Sequence, residues 1–225
     1  MSAQTTLALG AIPYGGDIAH TPAGVCDQHL AWGAEALLER APRRVLCPAA
    51  GAGAWVEAVR RLWPDAEIVA VEIAEDAAAL IKVEGVRVIV GDSFLVVPRL
   101  FDAGERFDLV VDNPPWSTLG AWAPLVRPGL NRGGVAAFYG PTQWGQSARD
   151  QILLDEWSPV AVTLSGGRVN HHPRVVEGQK RGGDQRDTCV RWWTERPRGA
   201  GLPGWLRRSW TTYRLDSLDK GERSI

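Results

Sequence analysis

The sequence predicts one α/β domain with a mostly parallel sheet covered by helices on both faces. The chain has 225 residues, a common length for a single domain. Hydrophobic residues make up 45% of it and charged residues 23%, as in soluble globular proteins. Short apolar segments that are typical of buried strands alternate with segments of helical periodicity, and this alternation is typical of parallel sheets.

The elements follow one another at short intervals. Residues 1–20 lack periodicity and are predicted to form an arm. A helix is predicted from Thr21-Pro22 to about Arg40, because a hydroxyl followed by proline is typical of a helix start. Strands are predicted at 44–48, 67–72, 86–90, 107–111, 134–139, 160–164 and 188–193. Helices or helical turns are predicted at 55–62, 76–82, 94–101, 120–130 and 144–156. Residues 196–225 are predicted to be a tail of low order.

Charge and cysteine content exclude several classes of protein. The net charge is −1, but residues 1–167 carry −7 and residues 168–208 carry +6. The sequence therefore predicts an acidic body with a basic segment. The chain has no apolar run long enough for a membrane span and no signal-peptide pattern, so we expect a cytoplasmic protein with no membrane partner. Three widely spaced cysteines predict neither a disulfide framework nor a metal site.

A glycine turn with a downstream carboxylate predicts a nucleotide-type ligand. Gly51 and Gly53 follow the first strand, where the backbone must turn tightly and can approach a ligand. Glu72 ends the second strand, 19 residues after Gly53, and could accept both hydroxyls of a ribose. Trp55 and Val56 occupy the region of the third glycine in a dinucleotide motif, which argues against NAD and FAD. The alternative is a plain glycine turn with a solvated Glu72.

A second carboxylate follows the third strand. Asp92 could accept a hydrogen bond from an adenine amino group, with Phe94 beside the ring. The alternative for Asp92 is a helix N-cap.

The most specific motif is Asn113-Pro114-Pro115-Trp116, which follows the fourth strand and Asp112. The two prolines restrict the backbone and remove two amide donors. The Asn113 side-chain oxygen and the Pro114 carbonyl remain as acceptors, and together they fit a planar NH2 group. Accepting both hydrogens of an exocyclic amine frees its delocalised lone pair for attack, and Trp116 offers a flat face for stacking. The alternative is a proline turn with a core tryptophan.

The chain resembles class I S-adenosylmethionine-dependent amino methyltransferases, most closely the N6-adenine group. The residues that carry this resemblance are, in order, segment 46–53, Glu72, Asp92 and motif 113–116. The chain is also similar to small phage- and prophage-type DNA adenine methyltransferases, in which a Thr-Pro pair opens the helix before the glycine turn. The resemblance covers about residues 21–195. It implies a Rossmann-like domain with a seven-stranded, mostly parallel sheet whose seventh strand is antiparallel.

The resemblance also implies roles for individual residues, with S-adenosylmethionine as the cofactor. Thr21 would help to hold the methionine carboxylate, Glu72 the ribose and Asp92 the adenine amine. The implied cofactor-binding residues are Thr21, Cys47, Ala49, Gly51, Gly53, Glu72, Asp92 and Phe94. The implied catalytic residues are Asn113, Pro114, Pro115 and Trp116.

One departure from the family lies in the glycine motif. Cys47 stands where the family usually has an acidic residue that contacts the methionine end of the cofactor. The departure implies weaker cofactor binding or a replacement acid such as Asp17. We expect Cys47 to be a small buried hydrophobe rather than a reactive thiol. The sequence argues against C5-cytosine methylation, since the nucleophilic cysteine of that reaction usually follows a proline and no Pro-Cys pair exists here.

The basic segment is predicted to face the ligand edge of the sheet. In the implied topology, loop 166–187 joins a parallel sixth strand to an antiparallel seventh and so emerges at the carboxyl edge. Lys180, Arg181 and Arg186 lie in this loop and could contact phosphates. Trp144 follows the fifth strand at the same edge and could stack on the target base or its neighbour, or belong to the core. The alternative for the loop is a solvated connection.

The function expected from the sequence is methyl transfer to the N6 amine of adenine in nucleic acid, with DNA favoured over RNA. RNA adenine-N6 methylation, protein glutamine-N5 methylation and a non-catalytic cofactor-binding subunit are the alternatives. Only about 30 residues follow the catalytic fold, too few for a separate sequence-reading domain. Specificity would then come from loops, from a partner protein or from a homodimer, or the substrate would not be duplex DNA.

Overall fold

A computed structural model describes residues 21–145, 154, 157–165, 169 and 187–195, and the backbone of residues 212–214. These residues form one mixed sheet of eight strands. The strands are β1 (Arg44–Cys47), β2 (Glu67–Glu72), β3 (Val86–Val90), β4 (Phe107–Asp112), β5 (Leu130–Pro141), β6 (Ala161–Leu164), β7 (Thr188–Thr194) and β8 (Thr212–Arg214). Their spatial order is β3-β2-β1-β4-β5-β7-β6-β8.

The predicted topology is confirmed for the first seven strands. Strands β1 to β5 pair in parallel, and β7 runs antiparallel to both β5 and β6. The short strand β8, which pairs in parallel with β6, lies in the segment that the sequence assigned to a tail. The sequence of β8 contains no apolar run, and the strand forms by pairing with β6, which is distant in sequence.

The helices cover both faces of this sheet. They are α1 (Ala23–His29), α2 (Glu35–Leu37), α3 (Ala54–Leu62), α4 (Glu75–Ala78), α5 (Ser93–Asp102) and α6 (Leu119–Val126). A π-helical turn, Leu30–Ala34, joins α1 to α2. The first helix starts later than expected, because Pro22 rather than Thr21 is its N-cap. No side chain caps this helix start. Most of the predicted helix at 144–156 lies outside the described residues.

Two apolar clusters, one on each face, anchor the sheet. One contains Trp55, Tyr139 and Trp192, and the other contains Trp122 and Trp193. All five of these aromatic side chains are buried, which confirms that several of the tryptophans belong to the core. Because the strands are held from both sides, the polar residues at their carboxyl ends have fixed positions. In the described part of the chain, no helix is long and apolar enough to span a bilayer.

Candidate functional site

The glycine turn between β1 and α3 has the backbone that its sequence predicts. Gly51 and Gly53 have φ angles of 54° and 96°, in the left-handed region that favours glycine. A Cβ atom on Gly53 would lie 3.2 Å from the Ile81 side chain, so space as well as conformation favours glycine there. The turn closes with a 2.9 Å hydrogen bond from Gly53 N–H to the Ala50 carbonyl.

Glu72 at the end of β2 holds this turn from one side. Its Oε2 accepts the Gly51 N–H at 2.7 Å, and its Oε1 accepts the Ala74 N–H at 2.9 Å. The residue is buried, which makes both contacts tighter than those of a solvated side chain. The carboxylate therefore lies at the turn, where the sequence placed it, and its contact with a ribose remains a prediction.

Asp112 at the end of β4 holds the turn from the other side. Its Oδ2 accepts the Ala49 N–H at 2.7 Å, and its Oδ1 accepts the Asn113 N–H at 2.9 Å. Sequence reasoning did not select Asp112 as a site residue. The available signal was its position at a strand end directly before the Asn-Pro-Pro-Trp motif, but its partner Ala49 lies 63 residues away and depends on the fold.

Glu72 and Asp112 together make the turn electrostatically negative when Asp112 is ionised. Burial is the main cause that raises the pKa of Asp112 from its ordinary 3.8 to about 7, and the nearby charge of Glu72 adds to it. The hydrogen bonds from Ala49 and Asn113 act in the opposite direction. A turn lined in this way would repel a pyrophosphate and suits a ligand with a positive charge.

Asp92 caps a helix, which is the alternative to adenine binding that the sequence left open. Its Oδ1 accepts the Phe94 N–H at 2.9 Å and so fixes the start of α5. Phe94 is half-buried and packs against Trp122, with ring centroids 5.0 Å apart. Ser93 donates a hydrogen bond to the Pro48 carbonyl and ties this helix start to the turn after β1. A contact of Asp92 or Phe94 with a cofactor remains a prediction.

Asn113 is held on both ends of its side-chain amide. Its Nδ2 donates to Thr21 Oγ1 at 3.0 Å, and its Oδ1 accepts the indole N–H of Trp116 at 2.9 Å. An indole N–H can only donate, so this contact fixes which end of the amide is the oxygen. Thr21, which sequence reasoning assigned to the cofactor, is thus a direct partner of the proposed acceptor.

The rest of the motif follows this geometry. Pro114 is buried, Pro115 is exposed, and half-buried Trp116 opens a 3-10 turn that leads into α6. The sequence predicted an open Asn113 oxygen and a Trp116 that contributes only its flat face. The structure differs, because the indole also contributes its N–H to that oxygen.

The three cysteines are free and buried. Burial is the main cause that raises the pKa of Cys26, Cys47 and Cys189 above the ordinary value. A nucleophilic cysteine needs the opposite shift. Cys47 is fully buried in the core, as expected for a small hydrophobe, so only its backbone can contribute to a ligand site.

A buried polar network lies next to this site, between α1 and the ends of β5, β6 and β7. His29 Nδ1 lies 2.7 Å from Thr163 Oγ1, and its Nε2 lies 3.2 Å from Ser165 Oγ. The Tyr139 ring packs edge-on to the His29 ring, and the Tyr139 hydroxyl donates to Thr188 at 2.6 Å. Burial lowers the pKa of His29 to about 3, which keeps the imidazole neutral.

Of the predicted substrate-binding residues, only Trp144 lies within the described part of the chain. Trp144 is half-buried, packs edge-on against Trp193 and lies under the guanidinium of Arg191, which favours the core alternative. Lys180, Arg181 and Arg186 lie outside the described residues. The flanks of their loop are described: the Ser165 N–H donates to the Thr188 carbonyl at 3.0 Å, at the carboxyl end of β6.

In the part of the chain that the structure describes, no group of three or more His, Cys, Asp and Glu side chains could hold a metal ion.

Comparisons with solved structures give the class of fold. A protein of Listeria monocytogenes described as a class I S-adenosylmethionine-dependent methyltransferase aligns with a TM-score of 0.62 and 12% identity, over 88% of this chain. The aligned part is 66% of the Listeria chain, just under two thirds of its length. A Pyrococcus horikoshii protein described as an RNA methyltransferase aligns with a TM-score of 0.54 and 14% identity, over 80% of this chain and 88% of that one.

Human methyltransferase-like protein 13, solved in complex with S-adenosylhomocysteine, aligns with a TM-score of 0.53 and 16% identity, over 81% of this chain and 84% of that one. The sequence matches no protein-family model and shows no significant match to a curated protein. The strand order, the antiparallel seventh strand and these similarities define the fold as that of class I S-adenosylmethionine-dependent methyltransferases.

Proposed function

We propose that this chain is an S-adenosylmethionine-dependent N-methyltransferase that methylates the exocyclic N6 amine of adenine in nucleic acid, with DNA as the favoured substrate. The observation that carries the proposal is the position of Asn113. Its side-chain oxygen lies at the carboxyl end of β4, directly after the residue that binds the glycine turn. A hydrogen-bond acceptor for a planar amine therefore stands next to a turn suited to the cofactor.

The residues around the turn fit S-adenosylmethionine better than a dinucleotide. Asp112 and Glu72 occupy the N–H groups of Ala49 and Gly51, which a pyrophosphate would otherwise use. The same carboxylates favour a cation. When bound, S-adenosylmethionine supplies an electrophilic methyl group on a positively charged sulfur. The neighbour of the same fold that was solved with S-adenosylhomocysteine supports this choice.

The chain's own residues would prepare the amine. Asn113 Oδ1 and the Pro114 carbonyl would accept its two hydrogens, which localises the nitrogen lone pair for attack. Thr21 and Trp116 would keep the Asn113 amide in the required orientation. The Trp116 ring would stack on the base, and the reaction would release one amine proton to solvent. This arrangement favours an NH2 group over a ring carbon or a hydroxyl.

The test is incubation with methyl-labelled S-adenosylmethionine and matched samples of duplex DNA, single-stranded DNA, RNA and protein. Mass spectrometry of the digests should find N6-methyladenine in the DNA samples. N6-methyladenine in RNA alone, or N5-methylglutamine in protein, would establish one of the two alternatives. The RNA arm is included because one neighbour of this fold is described as an RNA methyltransferase.

Asn113→Ala supplies the control for this assay. Removing one acceptor in a closed site should lower the methyl-transfer rate about 100-fold or more. Affinity for S-adenosylhomocysteine should stay within about threefold, since the loss of one contact to the amine does not alter the cofactor's own contacts. A variant with near-normal turnover would show that Asn113 is not the acceptor.

A further inference from the structure

One carboxylate joins the two segments between which the proposed reaction takes place. Asp112 accepts the Ala49 N–H of the glycine turn with one oxygen and the Asn113 N–H of the acceptor loop with the other. The Asn113 contact is local, whereas the Ala49 contact spans 63 residues of sequence. The residue is 1% exposed. A carboxylate in this position is costly to bury unless its oxygens are satisfied, and the backbone amides of both segments satisfy them.

The backbone explains why a side chain is needed here. Strands β1 and β4 pair only through Val45 with Leu109 and Leu46 with Val110. Beyond Val110 the ladder between these strands ends, and their carboxyl ends lead to the glycine turn and to Asn113. At this opening the Asp112 side chain supplies the connection that backbone pairing no longer provides.

We propose that Asp112 is a positioning residue that holds the glycine turn and the Asn113 loop at a fixed separation, so that the methyl donor and the target amine meet in a productive geometry. The proposal rests on the proposed function and deepens it, because it assigns a role to a buried residue whose two oxygens both bind backbone amides. A displacement of about 1 Å between two reacting groups can lower a rate roughly 100-fold.

The chain contains a matched control at the other end of the same strand pair. Asp108 also lies on β4, and its Oδ2 accepts the N–H groups of Arg43 and Arg44 at 2.9 and 3.1 Å. Its Oδ1 accepts from Asn131 at 2.8 Å. Asp108 thus links β1 to β4 in the same manner, but at the amino edge of the sheet, away from the site.

The experiment compares Asp112→Asn with Asp108→Asn. In Asp112→Asn, the new NH2 group must face one of two N–H donors, so one contact of the ionised carboxylate is lost. Both variants are therefore assayed above pH 7, where Asp112 is deprotonated. We expect Asp112→Asn to lower kcat about tenfold or more, and Asp108→Asn to keep kcat within about twofold after both are assayed well below their Tm. Equal kcat values for the two variants would overturn the proposal, since a merely structural role predicts the same loss of stability and no difference in kcat.

Amide hydrogen exchange provides a measurement that does not depend on activity. In the wild type, the Ala49 and Asn113 amides share one acceptor group, so their protection factors should agree within about threefold. Asp112→Asn should reduce both, and Asp108→Asn should change neither. Wild-type values that differ by more than about tenfold would overturn the proposal even when Asp112→Asn does not fold. A wild type that transfers no methyl group to any acceptor would instead overturn the proposed function, while exchange still decides whether Asp112 holds the two segments.

Discussion

Trp116 donates its indole N–H to the side-chain oxygen of Asn113 across 2.9 Å, so the proposed amine acceptor is oriented by a residue of its own motif. Thr21 fixes the other end of the same amide. If the amide could rotate, its NH2 group would at times face the target amine, and two hydrogen-bond donors would then repel each other. The two contacts remove this ambiguity, which makes Trp116 both a donor to the acceptor and a stacking surface.

Two substitutions at Trp116 separate these roles. Trp116→Phe keeps a flat ring and removes the N–H, so kcat should fall about three- to tenfold while KM changes little. Trp116→Ala also removes the stacking surface, worth about 1–3 kcal/mol per base, and should raise KM for an oligonucleotide roughly 5- to 150-fold. Steady-state kinetics on one substrate give both values.

Trp192→Phe is the control for the loss of an indole hydrogen bond. The Trp192 N–H donates to Thr163 Oγ1 at 2.9 Å within the core, so its removal should lower stability and leave kcat and KM near wild type. If Trp116→Phe behaves like Trp192→Phe, the indole N–H has no part in orienting Asn113. If Trp116→Ala keeps the wild-type KM, the ring does not stack on the target.

Much of the fold could be predicted because its inner strands are buried on both faces, and even the half-buried edge strand β3 has the composition of a strand. Runs such as Glu67–Glu72 and Val86–Val90 are rich in β-branched residues, and the observed bounds agree with the predicted ones. Strand β5 is longer than expected and extends from Leu130 to Pro141, because β4 and β7 support it beyond its apolar centre. Strand β8 depends on a distant edge and has no sequence pattern of its own.

For the site, the sequence indicated which residues meet at the carboxyl edge but not how they bond. Glu72 was expected to reach a ligand, and the structure shows that it also accepts two backbone amides. The role of Asp112 was missed because hydrogen bonds from backbone amides leave no residue-type pattern in the sequence. The Trp116 contact was missed because it depends on the side-chain rotamer, which the sequence leaves open.

Glu72→Ala should weaken cofactor binding and also lower stability. Loss of a charge-assisted pair of ribose hydrogen bonds corresponds to about 1.5–3 kcal/mol, or roughly a 10- to 150-fold higher Kd for S-adenosylhomocysteine. Stability should fall as well, because the Gly51 and Ala74 amides lose their acceptor. Glu67→Ala, at the exposed start of the same strand, is the control and should change neither quantity measurably. Unchanged affinity in Glu72→Ala, measured by calorimetry, would mean that the cofactor binds elsewhere.

The pH dependence of stability should contain two opposing contributions. Asp112 has a folded-state pKa of about 7, above its ordinary 3.8, so its contribution is complete below about pH 4 and is lost as the pH rises through 7. His29 has a folded-state pKa of about 3, below its ordinary 6.5, so its contribution is complete above 6.5 and is lost as the pH falls. Between about pH 4 and 6.5 the two slopes, each about 1.4 kcal/mol per pH unit, should cancel.

Single variants should reveal each slope when compared with the wild type in urea unfolding at several pH values. Relative to the wild type, Asp112→Asn should become more stable as the pH rises from 4 to 6.5, by about 1.4 kcal/mol per unit. His29→Gln, whose amide can still bond Thr163 and Ser165, should show the opposite slope. The groups near Asp112 that could alter this result are Glu72, Cys26 and Cys47, and burial keeps both thiols neutral in this range. A pH-independent difference for either variant would show that the group does not titrate as stated.

Replacing Lys180, Arg181 and Arg186 together by Ala should weaken nucleic-acid binding and flatten its dependence on salt. The described flanks of this loop, Ser165 and Thr188, lie at the carboxyl edge of the sheet, on the same edge as Asn113. Residues 1–167 have a net charge of −7, so a polyanion that approaches this edge needs a local positive patch. Each phosphate contact removed should reduce the slope of log affinity against log salt by about 0.7–0.9.

The matched control removes three positive charges elsewhere, by the substitutions Arg61→Ala, Arg87→Ala and Arg127→Ala. These arginines are partly exposed and pair with acidic side chains, so the control changes the net charge equally without altering the loop. Fluorescence anisotropy of a labelled oligonucleotide between low and moderate salt gives both slopes. We expect only the loop variant to lose slope and the methylated base to stay the same, because phosphate contacts carry no sequence information. A loop variant with the slope of the control would mean that the loop is a solvated connection, and a protein substrate would then fit the acidic body better than a nucleic acid.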